Sequence, residues 1–268
     1  MLCLFLAPNF LIMMDLSWLS RTELLVGREA LERLSERHVM VIGLGGVGSF
    51  AAEFIARSGV GKMTIVDGDV VDPTNRNRQL VALATNHGVS KAEIMAERIR
   101  QINPEIDLHV VSEFIQPDMV EALLRVKPDY LIEAIDSITP KLTVISTAVQ
   151  NNLSFVSSMG AGGRIDPTKL RVADIADTYG CPFAQQVRKQ LKNEFGIQTG
   201  FKAVFSTEEA DRDSVIHTDG SKFKKSAYGT ISYLPAVFGA TTASVAIRDL
   251  IGLPLNMYTS SRKKKKAE

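Results

Sequence analysis

The sequence predicts an α/β fold, a mostly parallel sheet with helices on both faces, and three observations carry the prediction. The first is Val39-Met-Val-Ile-Gly-Leu-Gly-Gly-Val-Gly-Ser49, in which four apolar residues read as a buried strand. Glycines follow at 43, 45, 46 and 48, and a helix runs from Val47 to about Ser58. The second is a further strand, Lys62-Met-Thr-Ile-Val66, that ends in Asp67. The third is the exchange of strand and helix patterns as far as residue 158, which marks a sheet whose crossovers are helical.

Bulk properties bound the function. A chain of 268 residues, 45% hydrophobic and 23% charged, is an ordinary globular protein able to bury a sizeable core. A net charge of +1 excludes a broadly basic nucleic-acid binder and leaves room for local patches: Arg188-Lys189 with Lys192, Lys222 with Lys224-Lys225, and Arg262 to Lys266. Each also reads as a solvated face. Cys3 and Cys181 stand far apart, and there is no Cys-x-x-Cys. This fits a reducing cytoplasm and gives no zinc site. The first fourteen residues are apolar but lack the basic start of a signal peptide, and with Pro8-Asn9 inside they are too short to span a bilayer. Translation is expected to begin at Met13 or Met14. No other segment approaches membrane length, so no membrane association is expected.

Along the chain, Leu16 to about Leu34 reads as helices that pack outside the domain or on a partner. After Asp67 comes a polar loop, residues 68–79, where Pro73 forbids a continuous strand. The helix from Lys91 to Ile102 has a core stripe of Ile94, Met95, Ile99 and Ile102, and Asn103-Pro104 stops it. Strand Asp107–Val111, helix Asp118–Arg125, strand Tyr130–Ile135, helix Lys141–Asn151 and strand Ser154–Ser158 follow. Beyond Gly160-Ala-Gly-Gly163 the alternation is lost. Residues Asp174 to Phe195 read as helical and basic, Ile231–Leu234 as a last strand, and Ala236 to Leu250 as an Ala-rich helix. The expected organisation is a nucleotide-binding core over 15–165 with N-terminal arm helices. Residues 166–258 form a crossover and a strand–helix pair completing the same domain, and 1–14 and 259–268 are disordered.

Glycine lets the backbone turn sharply and lie close to a phosphate, and the free N–H groups at the helix start favour negative charge. Gly43, Gly45, Gly46 and Gly48 are therefore a candidate phosphate cradle in a Rossmann-like unit, with Asp67 placed to read a ribose. A tight structural turn uses the same glycines. A dehydrogenase needs nothing more, whereas this chain adds features that answer to ATP. Asn75 and Arg78 bring an amide donor and an obligate cation into the polar loop. Lys91 begins the next helix, where an ammonium offsets phosphate charge. Asp136 ends a strand, a natural place for a hard carboxylate ligand to Mg2+. Taken singly, Arg78 and Lys91 also read as solvated charges and Asp136 as a helix N-cap.

In their order and spacing these residues resemble one family. Gly43-Leu-Gly-Gly-Val-Gly48, Asp67-x-Asp69, Thr74-Asn-Arg-Asn-Arg-Gln79, Gly88-Val-Ser-Lys91-Ala, Ile102-Asn-Pro104 and Ala134-Ile-Asp136-Ser are similar to the ubiquitin-activating-enzyme-like adenylating superfamily over residues 20–165. The resemblance implies that Asp67 holds the ribose, that Asn75, Arg78 and Lys91 hold the phosphates, with Asp69 beside them, and that Asp136 holds magnesium. It also implies that Arg21, six residues before Gly27, crosses a homodimer interface to the neighbour's ATP. Sulfur-carrier members of the superfamily generally have two Cys-x-x-Cys pairs, absent here. The crossover, from Gly160-Ala-Gly-Gly-Arg-Ile-Asp-Pro-Thr168 through Cys181-Pro-Phe-Ala184 to Val204-Phe-Ser-Thr-Glu208, resembles the tRNA threonylcarbamoyladenosine dehydratases, as does Gly229-Thr-Ile-Ser-Tyr-Leu-Pro235. Cys181 replaces an acidic residue usual in that branch, and reads either as a small buried side chain or as a thiol that forms an intermediate.

The resemblance implies a cytoplasmic, ATP-dependent enzyme that dehydrates threonylcarbamoyladenosine in tRNA through an acyl-adenylate. Arg164, Arg188, Lys189, Lys192 and the 222–225 lysines are then candidate contacts to RNA phosphates. Two rival readings are a sulfur-carrier adenylyltransferase acting on a terminal Gly-Gly carboxylate and a non-catalytic dinucleotide-binding regulator.

Overall fold

The computed structural model describes residues 14–217 and 226–259. The expected start at Met13 or Met14, Cys3, the 222–225 lysines and the basic run from Arg262 thus lie wholly or partly outside the described residues.

Five strands and their crossover helices form the half of the sheet that was legible: β1 (His38–Ile42), α3 (Gly48–Ala56), β2 (Lys62–Val66), α4 (Lys91–Ile102), β3 (Asp107–Val111), α5 (Val120–Leu124), β4 (Tyr130–Glu133), α6 (Ile138–Gln150) and β5 (Phe155–Ser158). They follow α1 (Ser20–Val26) and α2 (Arg28–Ser35). All pair in parallel in the order β3-β2-β1-β4-β5. The order reverses between β1 and β4, where the register sets Ile42 beside Glu133. Crossovers on the two sides of that point leave in opposite directions and open a crevice at the carboxyl ends of the strands.

Alternation along the strands sorts the core into two layers. On β1, Val39 and Val41 face the cluster built with α3, α4 and the C-terminal helix α8 (Tyr233–Ile251), while Met40 and Ile42 face the cluster built with α5, α6 and α7 (Pro182–Phe195). A strand covered on both faces is apolar throughout, and all five residues of β1 are buried. Buried charge ties together elements of the first cluster. On α3, Glu53 accepts from Arg57 on its own helix and from Arg98 on α4 at 2.6 Å. Tyr130 of β4 donates to Asp249 of α8 at 2.6 Å, and Lys202 reaches the same carboxylate at 2.8 Å.

Three expectations beyond residue 160 are corrected. Leu170–Asp174 is a strand, β6, and Lys202–Ser206 is another, β7. β7 extends the parallel sheet beside β5, and β6 closes the edge antiparallel to it. The helix expected over Asp174–Phe195 is shorter, α7 from Pro182 to Phe195, because Asp174 ends β6 and Asp174 and Pro182 each start a new turn. Ile231–Leu234 is no strand: α8 already begins at Tyr233 and runs to Ile251, with Pro235 inside its first turn, where a missing N–H costs nothing. A small hairpin, β8 (Val215–His217) with β9 (Ser226–Tyr228), precedes it. At 19 residues with a mean hydropathy of 1.3, α8 is long and apolar enough to cross a membrane by length and composition, contrary to expectation. Its Leu234, Phe238, Val245 and Ala246 lie instead in the core against α3.

Candidate functional site

Steric demands divide the work of the four glycines. Gly43 ends β1 at φ +88°, and a Cβ there would stand 2.9 Å from the Ala134 carbonyl oxygen. A Cβ on Gly48 would fall 1.7 Å from the Gly43 carbonyl oxygen. These two shape the turn and let α3 close on the strand. Gly45 meets only the Gln79 side chain, at 3.9 Å; with Gly43 and Gly46 it borders a cavity of about 1120 Å³ at the sheet's switch point. Gly48 does not border it.

Asp67 leaves β2 into this cavity. Its Oδ2 accepts from the Leu44 amide at 2.6 Å and its Oδ1 from the Asp69 amide at 2.8 Å. Burial raises the Asp67 carboxyl above the ordinary carboxylate value, against the pull of Lys91 and the two amides. The following loop is folded by its own sequence. Asp72 accepts from Thr74, Asn75 Oδ1 accepts from the Asp72 amide at 3.1 Å, and Pro73 takes the first turn position. Asn75 thus spends its carbonyl oxygen on the turn and offers its N–H2 edge to the cavity it lines. Arg78, one turn on, donates to Thr74 O at 2.9 Å and Asn77 Oδ1 at 2.8 Å. Burial lowers its guanidinium from the ordinary arginine value, while Asp136 and Asp72 oppose the shift; an arginine stays charged regardless.

Ser90 caps α4 and so places Lys91 in the first helical turn. The ammonium is buried and reaches Asp69 Oδ2 at 3.1 Å. On the opposite wall, Asp136 is exposed in the turn after β4. It is not the N-cap of α6; Ser137 holds that position. Beneath it Glu133 and Lys141 form an ion pair with neither side chain exposed. Glu133 also accepts from Ser157 Oγ at 2.5 Å and from the Ile135 amide at 2.8 Å, and Lys141 donates to Ser158 O at 3.0 Å.

Nine of the eleven expected site residues therefore line one cavity: Gly43, Gly45, Gly46, Asp67, Asp69, Asn75, Arg78, Lys91 and Asp136. Gly48 and Arg21 do not. Arg21 is exposed on α1, which packs mainly on α2 and the turn before it. Gln79 is a residue the sequence analysis quoted without assigning a role. It borders the cavity, and its buried Oε1 has no partner among the described residues. Its signal was its place at the end of the Thr74–Gln79 motif.

The expected RNA contacts are redistributed. Arg164 is buried, with its guanidinium fixed by the carbonyls of Glu208 at 2.8 Å, Gly160 at 2.8 Å and Gly162 at 3.2 Å. It is a strut of the crossover and no surface cation. Arg188 is tied to Thr178. Lys189 and Lys192 are exposed on α7. Cys181 is a buried side chain at the start of α7, packed in the core layer of α6 and α7.

Residues 19–266 match the ThiF family. The chain belongs to the ThiF family. Within it, the tRNA threonylcarbamoyladenosine dehydratase of Escherichia coli (strain K12) is 41% identical over 246 residues, covering 86% of this chain and 92% of that protein. The enzyme of the same name from Bacillus subtilis (strain 168) is 38% identical, covering 87% and 94%. The crystal structure of the E. coli dehydratase in complex with ATP superposes with a TM-score of 0.82 at 39% identity, covering 90% of this chain and 97% of that one. This ThiF-family chain therefore also belongs with the tRNA threonylcarbamoyladenosine dehydratases. Sulfurtransferase-linked adenylyltransferases of yeast match only 56% of it.

Proposed function

We propose that this protein dehydrates threonylcarbamoyladenosine in tRNA, using ATP, in the cytoplasm. One observation carries the reading. The cavity holds a charged end, with Arg78, Lys91 and Asp136 around the glycine turn, and continues past Ser158 and Gly160 to α7. At about 1120 Å³ it exceeds the few hundred to about 1,000 Å³ of a typical single-ligand pocket. ATP takes the charged end in this reading, and the modified nucleoside the end beside α7.

In this reading the glycine turn and the Asn75 amide receive the phosphates, and Asp67 accepts from the ribose hydroxyls. Arg78 and Lys91 neutralise the α-phosphate while the substrate carboxylate oxygen attacks it. The Pα–O bond to pyrophosphate breaks and an acyl-adenylate forms. A nitrogen of the same modified nucleoside then attacks the acyl carbon, loses its proton, and AMP leaves, so the nucleoside loses one water. The protein's contribution is positional and electrostatic. Among the described residues no three His, Cys, Asp or Glu side chains converge, and a single exposed carboxylate is what Mg2+ uses beside nucleotide phosphates. Asp136 would hold that ion, which when bound adds positive charge at the phosphates. Arg21 completes the charge from the other protomer of a homodimer. The exposed Trp18, Leu24 and Leu25 beside it are the apolar surface such an arm would bury.

The test is to incubate the protein with ATP and tRNA carrying the modification, digest the RNA and weigh the nucleosides. Loss of one water mass with release of AMP and pyrophosphate is expected. An unchanged nucleoside alongside AMP transfer to a carrier protein ending in Gly-Gly would overturn the reading in favour of a sulfur-carrier adenylyltransferase.

A further inference from the structure

The half of the cavity remote from the glycine turn has a wall of distinct chemistry. Helix α7 turns Ala184, Val187 and Leu191 into the core and lines the cavity with Phe183, Gln186, Gln190 and Glu194. These follow the i, i+3, i+7 spacing of one helical face. Phe183 is held in place on its inner side, with the buried Lys141 ammonium 5.7 Å from its ring centroid. Gln186 and Gln190 border the cavity, and their neutral amides each carry donors and an acceptor. Lys189 lies about 60° round the helix from Gln186, on the rim, and both Lys189 and Lys192 are exposed.

A row of amides with Lys189 on its rim and Lys192 about 60° further round the helix suits single-stranded RNA whose backbone leaves on that side: amides pair with base edges and lysines with phosphates. A carrier-protein tail offers neither a run of base edges nor a phosphate backbone. Glu194 ends the row with a charge that repels phosphate, so the backbone path lies on the Lys189 side. We propose that Gln186 and Gln190 read the nucleotides that flank the reacting adenosine, and that Lys189 and Lys192 hold their phosphates. The inference rests on the proposed tRNA reaction and extends the known chamber to residues with a defined recognition role.

The experiment compares wild type, Gln186→Ala/Gln190→Ala and Lys189→Ala/Lys192→Ala. It measures KM for modified tRNA, affinity for a fluorescent ATP analogue, and the salt dependence of tRNA binding. For the glutamine pair, the tRNA KM should rise roughly tenfold or more, with ATP affinity and the salt slope unchanged. For the lysine pair, the slope of log affinity against log salt should flatten by about one to two. An unchanged tRNA KM in the glutamine variant overturns the proposal, as does an equal loss of ATP affinity, which would make α7 a packing element only. A wild-type protein that leaves modified tRNA unaltered would instead overturn the proposed reaction.

Discussion

Lys91 Nζ stands 3.1 Å from Asp69 Oδ2, so the ammonium is pre-aimed before any nucleotide arrives. The Lys91 amide is also bound, to Asp69 O at 3.0 Å. Both ends of the residue are anchored on the segment that follows β2. A cation fixed this way gives up little freedom when a phosphate takes the carboxylate's place. Lys91→Ala should lower ATP–pyrophosphate exchange about a hundredfold or more, by analogy with loss of an oxyanion donor. Asp69→Asn, which keeps the cation and loosens its aim, should cost less. Unchanged exchange in Lys91→Ala would remove the residue from the mechanism.

The Glu133–Lys141 pair makes a stability prediction. Both side chains are fully buried, and burial pushes the Lys141 ammonium below its ordinary value, against the pull of Glu133. Removing one partner leaves the other charge buried and alone. Lys141→Met should cost about 3–5 kcal/mol in urea unfolding, whereas Glu133→Gln/Lys141→Met should recover much of it. A double variant no more stable than the single would show that the amide and carbonyl contacts of the pair matter more than its charges.

What the sequence disclosed and what it hid follow from range. Strands β1, β2 and β4 announce themselves as largely apolar runs bounded by a glycine turn, a carboxylate or a helix, and β3 and β5 by their place in the strand–helix alternation. The candidate site was legible because its residues sit at element ends: Asp67 just past β2, Lys91 at the first position of α4 and Asp136 in the turn after β4. β6 and β7 were hidden because Leu170-Arg-Val-Ala-Asp174 is an edge strand half exposed to solvent and Lys202–Ser206 is a five-residue run framed by a lysine and a serine. Paired residues of the two lie 28 to 36 positions apart in sequence, beyond any local pattern. Arg164 misled for a related reason: a charge looks solvated until the carbonyls of Gly160 and Glu208 come together around it.

Acid should weaken the α3–α4 contact. Burial pushes Glu53 up, yet its hydrogen bonds with Arg98 and Arg57 outweigh burial and hold the carboxyl below its ordinary value. A depressed folded value contributes stability above the unfolded value of about 4.3, lost as pH falls through the folded value. Glu53→Gln should therefore cost about 1–2 kcal/mol at neutral pH, at the low end because both arginines are part-exposed and screened. The gap to wild type should close as pH falls below about 4. Urea midpoints across that range measure it; a gap that persists in acid would assign the effect to packing.

Arg21 gives a prediction that separates a dimer arm from a surface charge. It is exposed on α1, clear of its own chain's cavity, with Leu24 and Leu25 on the same short helix 84% and 85% exposed. If the arm serves the neighbour's site, Arg21→Ala and Lys91→Ala proteins should each be nearly inactive alone and regain activity when mixed and allowed to exchange subunits. Half of the dimers in an equal mixture are hybrids. Each hybrid holds one complete site, with Lys91 from one chain and Arg21 from the other, so recovery should approach about a quarter of wild-type activity. A residue acting within its own chain predicts no recovery, because every site in a hybrid would lack one of the two cations. Leu24→Glu/Leu25→Glu should abolish the complementation and shift the protein to monomer in sedimentation, linking the apolar face to the same arm.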